Sequence, residues 1–290
     1  MGAALVIGVI NGSIYGLLGL GIVLVYRGSR VLNFAQGEFG TFALFIAWTF
    51  TEKLHQPWLV GAVVAVTVSA LIGLAFEFLV VRRMVDASKL AVAVATIGLF
   101  LFLIALEIVI WKQLVLYLEA PIKGDGLQIL GHFVGPTALL GLAFVVLLGT
   151  ALAAFLRYTD FGLGVLAASQ DPEAIRLVGV RLSRTAAFTW GTAGAIGAIA
   201  ALLIEPTLGA FAPGFMTEFF VRALAAALIG GLTSLPGAFL GGLVLGGIEA
   251  MVLRYVPITF FPGVNYLTIL LLMVLVLLFR PSGLLGRKSS

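Results

Sequence analysis

Ala168-Ser-Gln-Asp-Pro-Glu-Ala-Ile-Arg-Leu-Val-Gly-Val180 is a polar island between long apolar runs, and it reads as a short helix held outside a membrane. Asp171 can cap the free amides, and Pro172 suits the first helical position because it has no amide hydrogen to lose. Glu173 favours the positive end of the helix dipole, and Gly179 supplies the stop. About two turns fit between cap and stop, roughly 11 Å of helix, and a helix that short is marginal alone. The segment therefore calls for a partner surface.

The rest of the chain sets the context. Of 290 residues, 61% are hydrophobic and 10% charged, with a mean hydropathy of +1.18, so the fold class is an all-α polytopic membrane protein. No polar stretch is long enough to bury a core of its own, which excludes a separate catalytic domain; residues 1–290 read as a single membrane domain. The absence of cysteine removes disulfides, zinc-thiolate sites and a thiol nucleophile together. The start, Met1-Gly-Ala-Ala-Leu-Val6, has no basic region and runs straight into a full span, so no cleavable signal peptide is expected.

Apolar segments long enough to cross about 30 Å of hydrocarbon fall at 3–26, 31–50, 58–81, 90–111, 133–156, 185–204 and 262–279. The 221–253 run is broken by Gly230-Gly-Leu-Thr-Ser-Leu-Pro-Gly237 and reads as two spans meeting near Ser234. With every segment crossing, one side holds Arg27, Arg30, Arg82, Arg83, Lys89, Arg157, Arg176, Arg181, Arg184, Arg280, Arg287 and Lys288. The other holds Lys53, Lys112, Lys123, Arg222 and Arg254. The basic bias places the N-terminus outside, the C-terminus inside and the 157–184 loop in the cytoplasm. About 8–10 transmembrane or half-spanning helices are expected, the count depending on whether 205–220 re-enters the membrane or lies on its surface.

Glycine weakens a helix by roughly 1 kcal/mol against alanine, and close packing of helices explains most of the 36 present. Small residues four apart, as in Gly12/Gly16, Gly237/Gly241 and Gly242/Gly246, let backbones approach in lipid. Gly230, Gly231, Ser234, Pro236 and Gly237 instead form a turn within the bilayer zone, tolerated only where protein or water satisfies its backbone, and such breaks often border a substrate path.

No residue pattern points to catalysis. His55 and His132 are isolated, and no nucleophile elbow, His-Glu-x-x-His or Walker A sequence occurs. If ATP drives this chain, another subunit carries the nucleotide. Among the acids, Glu77 lies close to Arg82 and Arg83, Glu107 and Glu249 near outer span ends, and Glu205 and Glu218 in an outer connection; all five read as interfacial anchors. Glu38 differs. It belongs to Asn33-Phe-Ala-Gln36-Gly37-Glu38 inside a segment that must cross, where its charge needs a hydrogen-bond network or a cavity wall. A second polar group, Asn11, Ser13 and Tyr15, puts Asn11 and Tyr15 on one helical face; helix-to-helix hydrogen bonding and substrate contact both fit it. These six side chains are the candidate substrate pathway.

At these residues the chain resembles the membrane permeases of branched-chain amino acid ABC importers, in particular the H-type leucine/isoleucine/valine permease. The likeness rests on Ile10-Asn-Gly-Ser-Ile-Tyr15, Leu32-Asn-Phe-Ala-Gln-Gly-Glu-Phe39, Arg157-Tyr-Thr-Asp-Phe-Gly162 leading to Asp171-Pro-Glu-Ala174 and Leu177-Val-Gly-Val180, Leu228-Ile-Gly-Gly-Leu-Thr-Ser-Leu-Pro-Gly237, and Arg280-Pro-Ser-Gly-Leu-Leu-Gly286. The chain has Gln36 where the family commonly has His, and no basic residue in Gly162-Leu-Gly-Val-Leu-Ala167.

The resemblance implies an ABC importer permease fold in the bacterial inner membrane, with a second permease chain, M-type or identical, two cytoplasmic ATPase subunits and an extracytoplasmic substrate-binding protein as partners. It implies no cofactor on this chain, ATP being bound by the partner subunits, and no nucleic acid. The polar island becomes the helix that docks on the ATPase: Asp171, Pro172 and Glu173 fix its start, Ala174, Ile175, Leu177 and Val178 supply apolar contact, Arg176 a charged rim and Gly179 the end. Aliphatic amino acids are the implied cargo, while urea, short amides or aromatic acids would suit the same apolar cavity. An ion-coupled carrier using Glu38 is the reading from a different class.

Overall fold

The computed structural model describes residues 1–113, 115–122, 124–168, 181–256, 259 and 261–286. Among them are ten α-helices: α1 (Gly2–Ser29), α2 (Gln36–Trp48), α3 (Trp58–Leu79), α4 (Lys89–Trp111), α5 (Pro136–Tyr158), α6 (Asp160–Ala168), α7 (Leu182–Leu208), α8 (Thr217–Gly230), α9 (Leu235–Tyr255) and α10 (Val264–Phe279). Six helical stretches are long and apolar enough to cross a membrane: α1, Trp58–Met84 built on α3, α4, α5, α7 and α9. The proposed docking helix, with Asp171, Pro172, Glu173, Ala174, Ile175, Arg176, Leu177 and Gly179, lies outside the described residues. A small antiparallel hairpin, β1 (Leu127–Ile129) and β2 (His132–Val134), lies in the connection from α4 to α5.

The core is built around α1, whose residues from Gly12 to Val25 are all buried and which packs against α7, α8 and α9. By contrast α3, α4, α5 and α10 turn Leu59, Leu90, Leu101, Leu147 and Leu278 outward, as a lipid-facing layer does. Small residues make the central approach possible. A Cβ at Gly12 would sit 2.7 Å from the Gly242 carbonyl oxygen, at Gly8 2.8 Å from Gly247 Cα, and at Gly246 2.5 Å from Gly12 Cα. The spacings Gly12/Gly16 and Gly242/Gly246 are thus the two halves of one antiparallel seam, while Gly237 and Gly241 face Gly230 and Ala226 at the start of α9.

Three segments differ from the sequence expectation. The 31–50 run is no continuous span: non-helical chain leads from Arg30 to Ala35, and the 13-residue α2 follows with a π turn over Thr49–Lys53. Depth follows from Gln36, whose Nε2 donates to Ala193 O at 2.8 Å, near the middle of α7. The non-helical part therefore returns into the bundle before α2 begins. The connection after α7 behaves likewise: 209–216 runs inward, with Phe211 and Met216 buried, and α8 starts from within. The third difference is α6, a nine-residue helix in the expected loop 157–184. Thr159 starts it, its Oγ1 accepting from Gly162 N at 3.0 Å.

The break at Gly230–Gly237 is the turn between α8 and α9, as its residues foretold. Ser234 caps α9, its Oγ accepting from Gly237 N at 3.1 Å, with Pro236 in the first helical turn. Its other partner is the C-terminal tail. Leu284 N donates to Ile229 O at 2.8 Å and Leu285 N to Gly230 O at 3.0 Å, satisfying two of the carbonyls that a helix end leaves open. Gly231 at φ 104 and Gly283 at φ 79 stack where no side chain fits, which is the physical content of the tail motif Arg280-Pro-Ser-Gly-Leu-Leu-Gly286.

Three variants test this packing. Gly12→Val should lower the thermal stability of the detergent-solubilised protein by about 1–3 kcal/mol through overpacking. Gly98→Ala, where a Cβ meets nothing within 4 Å, should be neutral or slightly stabilising, read from melting curves of the two variants. Truncation after Arg280 should raise amide exchange at residues 228–238 by removing the donors that close α8, with little change in α3 or α4.

Candidate functional site

α2 and α8 have 13 and 14 residues, about 20 Å each, short of a crossing. Their N-terminal ends meet inside the bundle, α2 running from there toward the face on which α1 begins and α8 toward the face on which α1 ends. A glycine permits the meeting, since a Cβ at Gly37 would lie 2.8 Å from Met216 O and 2.9 Å from Phe220 Cβ.

Free amides at such ends must find protein partners where water is excluded. In the α2 lead-in, Asn33 Oδ1 accepts from Ala35 N at 3.0 Å, Thr96 Oγ1 from Phe34 N at 3.1 Å, and Asn33 Nδ2 donates to Gln36 Oε1 at 3.3 Å. In the α8 lead-in, Met216 N donates to Thr41 Oγ1 at 3.0 Å and Thr217 Oγ1 to Glu38 Oε1 at 2.8 Å. Glu38 stands in the first turn of α2 beside the first residue of α8, so its carboxyl faces the positive ends of two helix dipoles at once.

Two further buried glutamates hold the same connection. Glu107 Oε2 accepts from Gly214 N and Glu205 Oε1 from Leu118 N, both at 3.3 Å. Leu116 and Phe211 exchange backbone hydrogen bonds of 2.9 Å in a bridge between them. Glu38, Glu107 and Glu205 are all fully buried, which corrects the reading of Glu107 and Glu205 as interfacial anchors: Glu107 satisfies the Gly214 amide of the inward-running chain, and Glu205 the Leu118 amide of the strand of chain bridged to it. Glu77 does anchor as expected, with Arg82 Nη2 at 3.0 Å.

A charged cluster lies on the other flank of α8. Arg222 Nε donates to Glu249 Oε1 at 2.9 Å, and Nη1 to Glu218 O at 3.1 Å and Glu218 Oε2 at 3.3 Å. Tyr266 Oη donates to Glu218 Oε1 at 2.8 Å. The guanidinium carbon is 5.9 Å from the ring centres of both Tyr15 and Tyr266, within cation–π range. Arg222 and Glu249 are buried, their side chains 9% and 6% exposed, whereas Glu218 is 61% exposed. Arg222 is thus no surface charge and Glu249 no interfacial anchor, while Glu218 stays exposed. Glu249 lies six residues, about 9 Å, before the end of α9, and Tyr15 about 20 Å into α1. Breaking a buried pair by removing one partner costs about 3–5 kcal/mol, so Arg222 and Glu249 lock α8 to α9.

The six residues read as a substrate pathway divide between these two places. Asn33, Gln36 and Glu38 come together at the helix junction and are at most 1% exposed, so in this conformation they brace a wall and do not face a passage. Tyr15 belongs to the charged cluster, Ser13 bonds back to Val9 O at 2.6 Å, and Asn11 is half-buried one turn before Tyr15. Gly230, Gly231, Ser234, Pro236 and Gly237 form the turn at the far end of α8, with the C-terminal tail against Gly230 and Gly231 and with Pro236 exposed. Thr41, Thr217, Glu218, Arg222, Glu249 and Tyr266 escaped selection by sequence. The available signal was Glu218 and Arg222, opposite charges four apart at the head of an apolar run.

Known proteins agree with this architecture. The sequence is 30% identical over 298 residues, 97% of this chain and 94% of the relative, to the high-affinity branched-chain amino acid transport system permease protein LivH of Escherichia coli K12. It is 30% identical over 308 residues, 98% and 95% of the two chains, to the corresponding permease protein BraD of Pseudomonas aeruginosa. In fold it is similar to PsaBC from Streptococcus pneumoniae, solved in complex with Fab, with a TM-score of 0.53 at 14% identity over 97% of this chain and 91% of that one. The profile of the family described as branched-chain amino acid transport system / permease component matches residues 4–278, nearly the whole membrane bundle, and the chain belongs to that family.

Proposed function

We propose that this chain is one of two permease subunits of an ATP-driven importer for branched-chain amino acids in the bacterial inner membrane. The observation that carries the reading is membership of the permease family along residues 4–278 in a sequence with no nucleotide-binding motif. Two cytoplasmic ATPase subunits supply the energy, and an extracytoplasmic binding protein supplies the substrate. The chain binds no cofactor and carries out no chemistry itself. The basic bias of the loops orients the N-terminus outside and the C-terminus, with the tail that closes α8, in the cytoplasm.

The polar island Asp171–Gly179 is the ATPase contact in this reading. Asp171, Pro172 and Glu173 set its start, Ala174, Ile175, Leu177 and Val178 its apolar face, Arg176 its rim and Gly179 its end. ATP-driven closure of the ATPase pair is transmitted through it as a rigid-body movement. The half-helices α2 and α8 are suited to respond, because their inner ends are held by a few hydrogen bonds and not by a continuous helical ladder. Asn33, Gln36 and Glu38 keep the junction in register, while Asn11, Ser13 and Tyr15 stand on the α1 side of the path.

Co-expression with the cognate ATPase, second permease and binding protein should yield a complex that takes up leucine in proteoliposomes only when ATP is enclosed. Uptake by this chain alone, driven by an ion gradient, would instead favour the carrier reading. Glu173→Arg combined with Ile175→Arg should leave insertion intact and cut ATP-dependent uptake at least about tenfold; transport at the unmodified rate counts against the docking role.

A further inference from the structure

Glu218 is a charged side chain, 61% exposed, at a depth where exposure to lipid is costly. Its neighbour Thr217 bonds Glu38, ten residues or about 15 Å below the end of α2. Elsewhere the exposed side chains of α3, α4, α5 and α10 at such depth carry no charge: most are aliphatic or aromatic, as in Val63, Leu101, Phe144 and Leu271, and the exposed Thr67 and Thr150 return their hydroxyls to Val63 O and Val146 O of their own helices. A carboxyl group on the exposed stripe of a half-helix calls for water or a polar surface beside it in place of lipid.

The stripe continues along α8 through Val221, 44% exposed, to the half-buried Leu224 and Leu228, residues three or four apart on one helical face. It is acidic at its head and aliphatic below. The cluster behind it has one cation, Arg222, against two carboxylates, Glu218 and Glu249, which leaves the exposed end negative. Arg222 and the Tyr266 hydroxyl fix the Glu218 carboxylate from both oxygens, so it is oriented before anything arrives. A small molecule with an ammonium group beside an aliphatic tail matches this order of groups.

We infer that Glu218 receives the ammonium group of a zwitterionic substrate on a water-lined path along α8, with Val221 against the aliphatic tail. Arg222, Glu249 and Tyr266 are positioning residues that hold the carboxylate. This rests on the importer reading above and adds to it the side chain that contacts the substrate.

The chain has no cysteine, so Glu218→Cys places one reporter thiol in this subunit of the assembled complex. Relative to the unmodified complex as background, that thiol should react with a membrane-impermeant methanethiosulfonate at least about tenfold faster than Leu101→Cys on the lipid face, and more slowly with leucine and binding protein at saturation. In uptake, Glu218→Gln should raise the leucine KM about tenfold or more by removing a charge-assisted contact. Glu218→Asp should recover most of that loss.

Labelling no faster than Leu101→Cys, or a wild-type KM in Glu218→Gln, overturns the inference while leaving the importer reading standing. If the unmodified complex takes up no leucine with ATP, the importer reading fails and the inference falls with it.

Discussion

Peptide groups placed within an apolar layer must be satisfied by protein, and the bundle is arranged around that constraint at two interrupted crossings. Where α2 and α8 begin, the helical ladder cannot supply partners, so side chains do: Asn33 and Thr96 on one lead-in, Thr41, Glu38 and Glu107 on the other, with Glu205 holding the Leu118 amide beside it. Every one of these side chains is buried. The glycine seam between α1 and α9 and the close approach at Gly37 follow from the same need, since the junction forms only if the surrounding helices close tightly on it.

The arrangement separates two kinds of acid. Glu38, Glu107 and Glu205 accept from backbone amides or a neighbouring hydroxyl and hold the fold in register. Glu218 and Glu249 are paired through Arg222, and Glu218 emerges on an exposed stripe. Half-helices hold their position through such side-chain contacts and so can shift without unzipping a long helix. That property fits a family of transport permeases, in which access to a path must alternate.

Much of the fold was legible in the sequence. Long apolar runs announced the spans, and glycines four apart announced which helices approach closely. Gly230-Gly231 with Ser234-Leu-Pro-Gly237 gave the turn between α8 and α9 to within a residue or two, because turn chemistry is local. The short crossings were less visible. The 31–50 run is apolar enough to pass for a span, and nothing local reveals that Asn33 ends one path of the chain and starts α2 within the bundle. Glu205 and Glu218 looked like loop acids because the inward run of 209–216 is held by Thr41 and Glu107, far off in sequence.

By itself, then, the sequence determined that this is a polytopic helical membrane protein, where its main spans and the sharp turn at Gly230–Gly237 fall, and which permease family it resembles. Those properties depend on hydropathy summed over twenty residues and on turn preferences a few residues long. Tertiary structure alone decided which polar residues are braces and which face outward. Whether Glu38 or Glu218 is exposed depends on what distant helices place beside it, and in a low-dielectric interior that choice of neighbours decides what a carboxylate does.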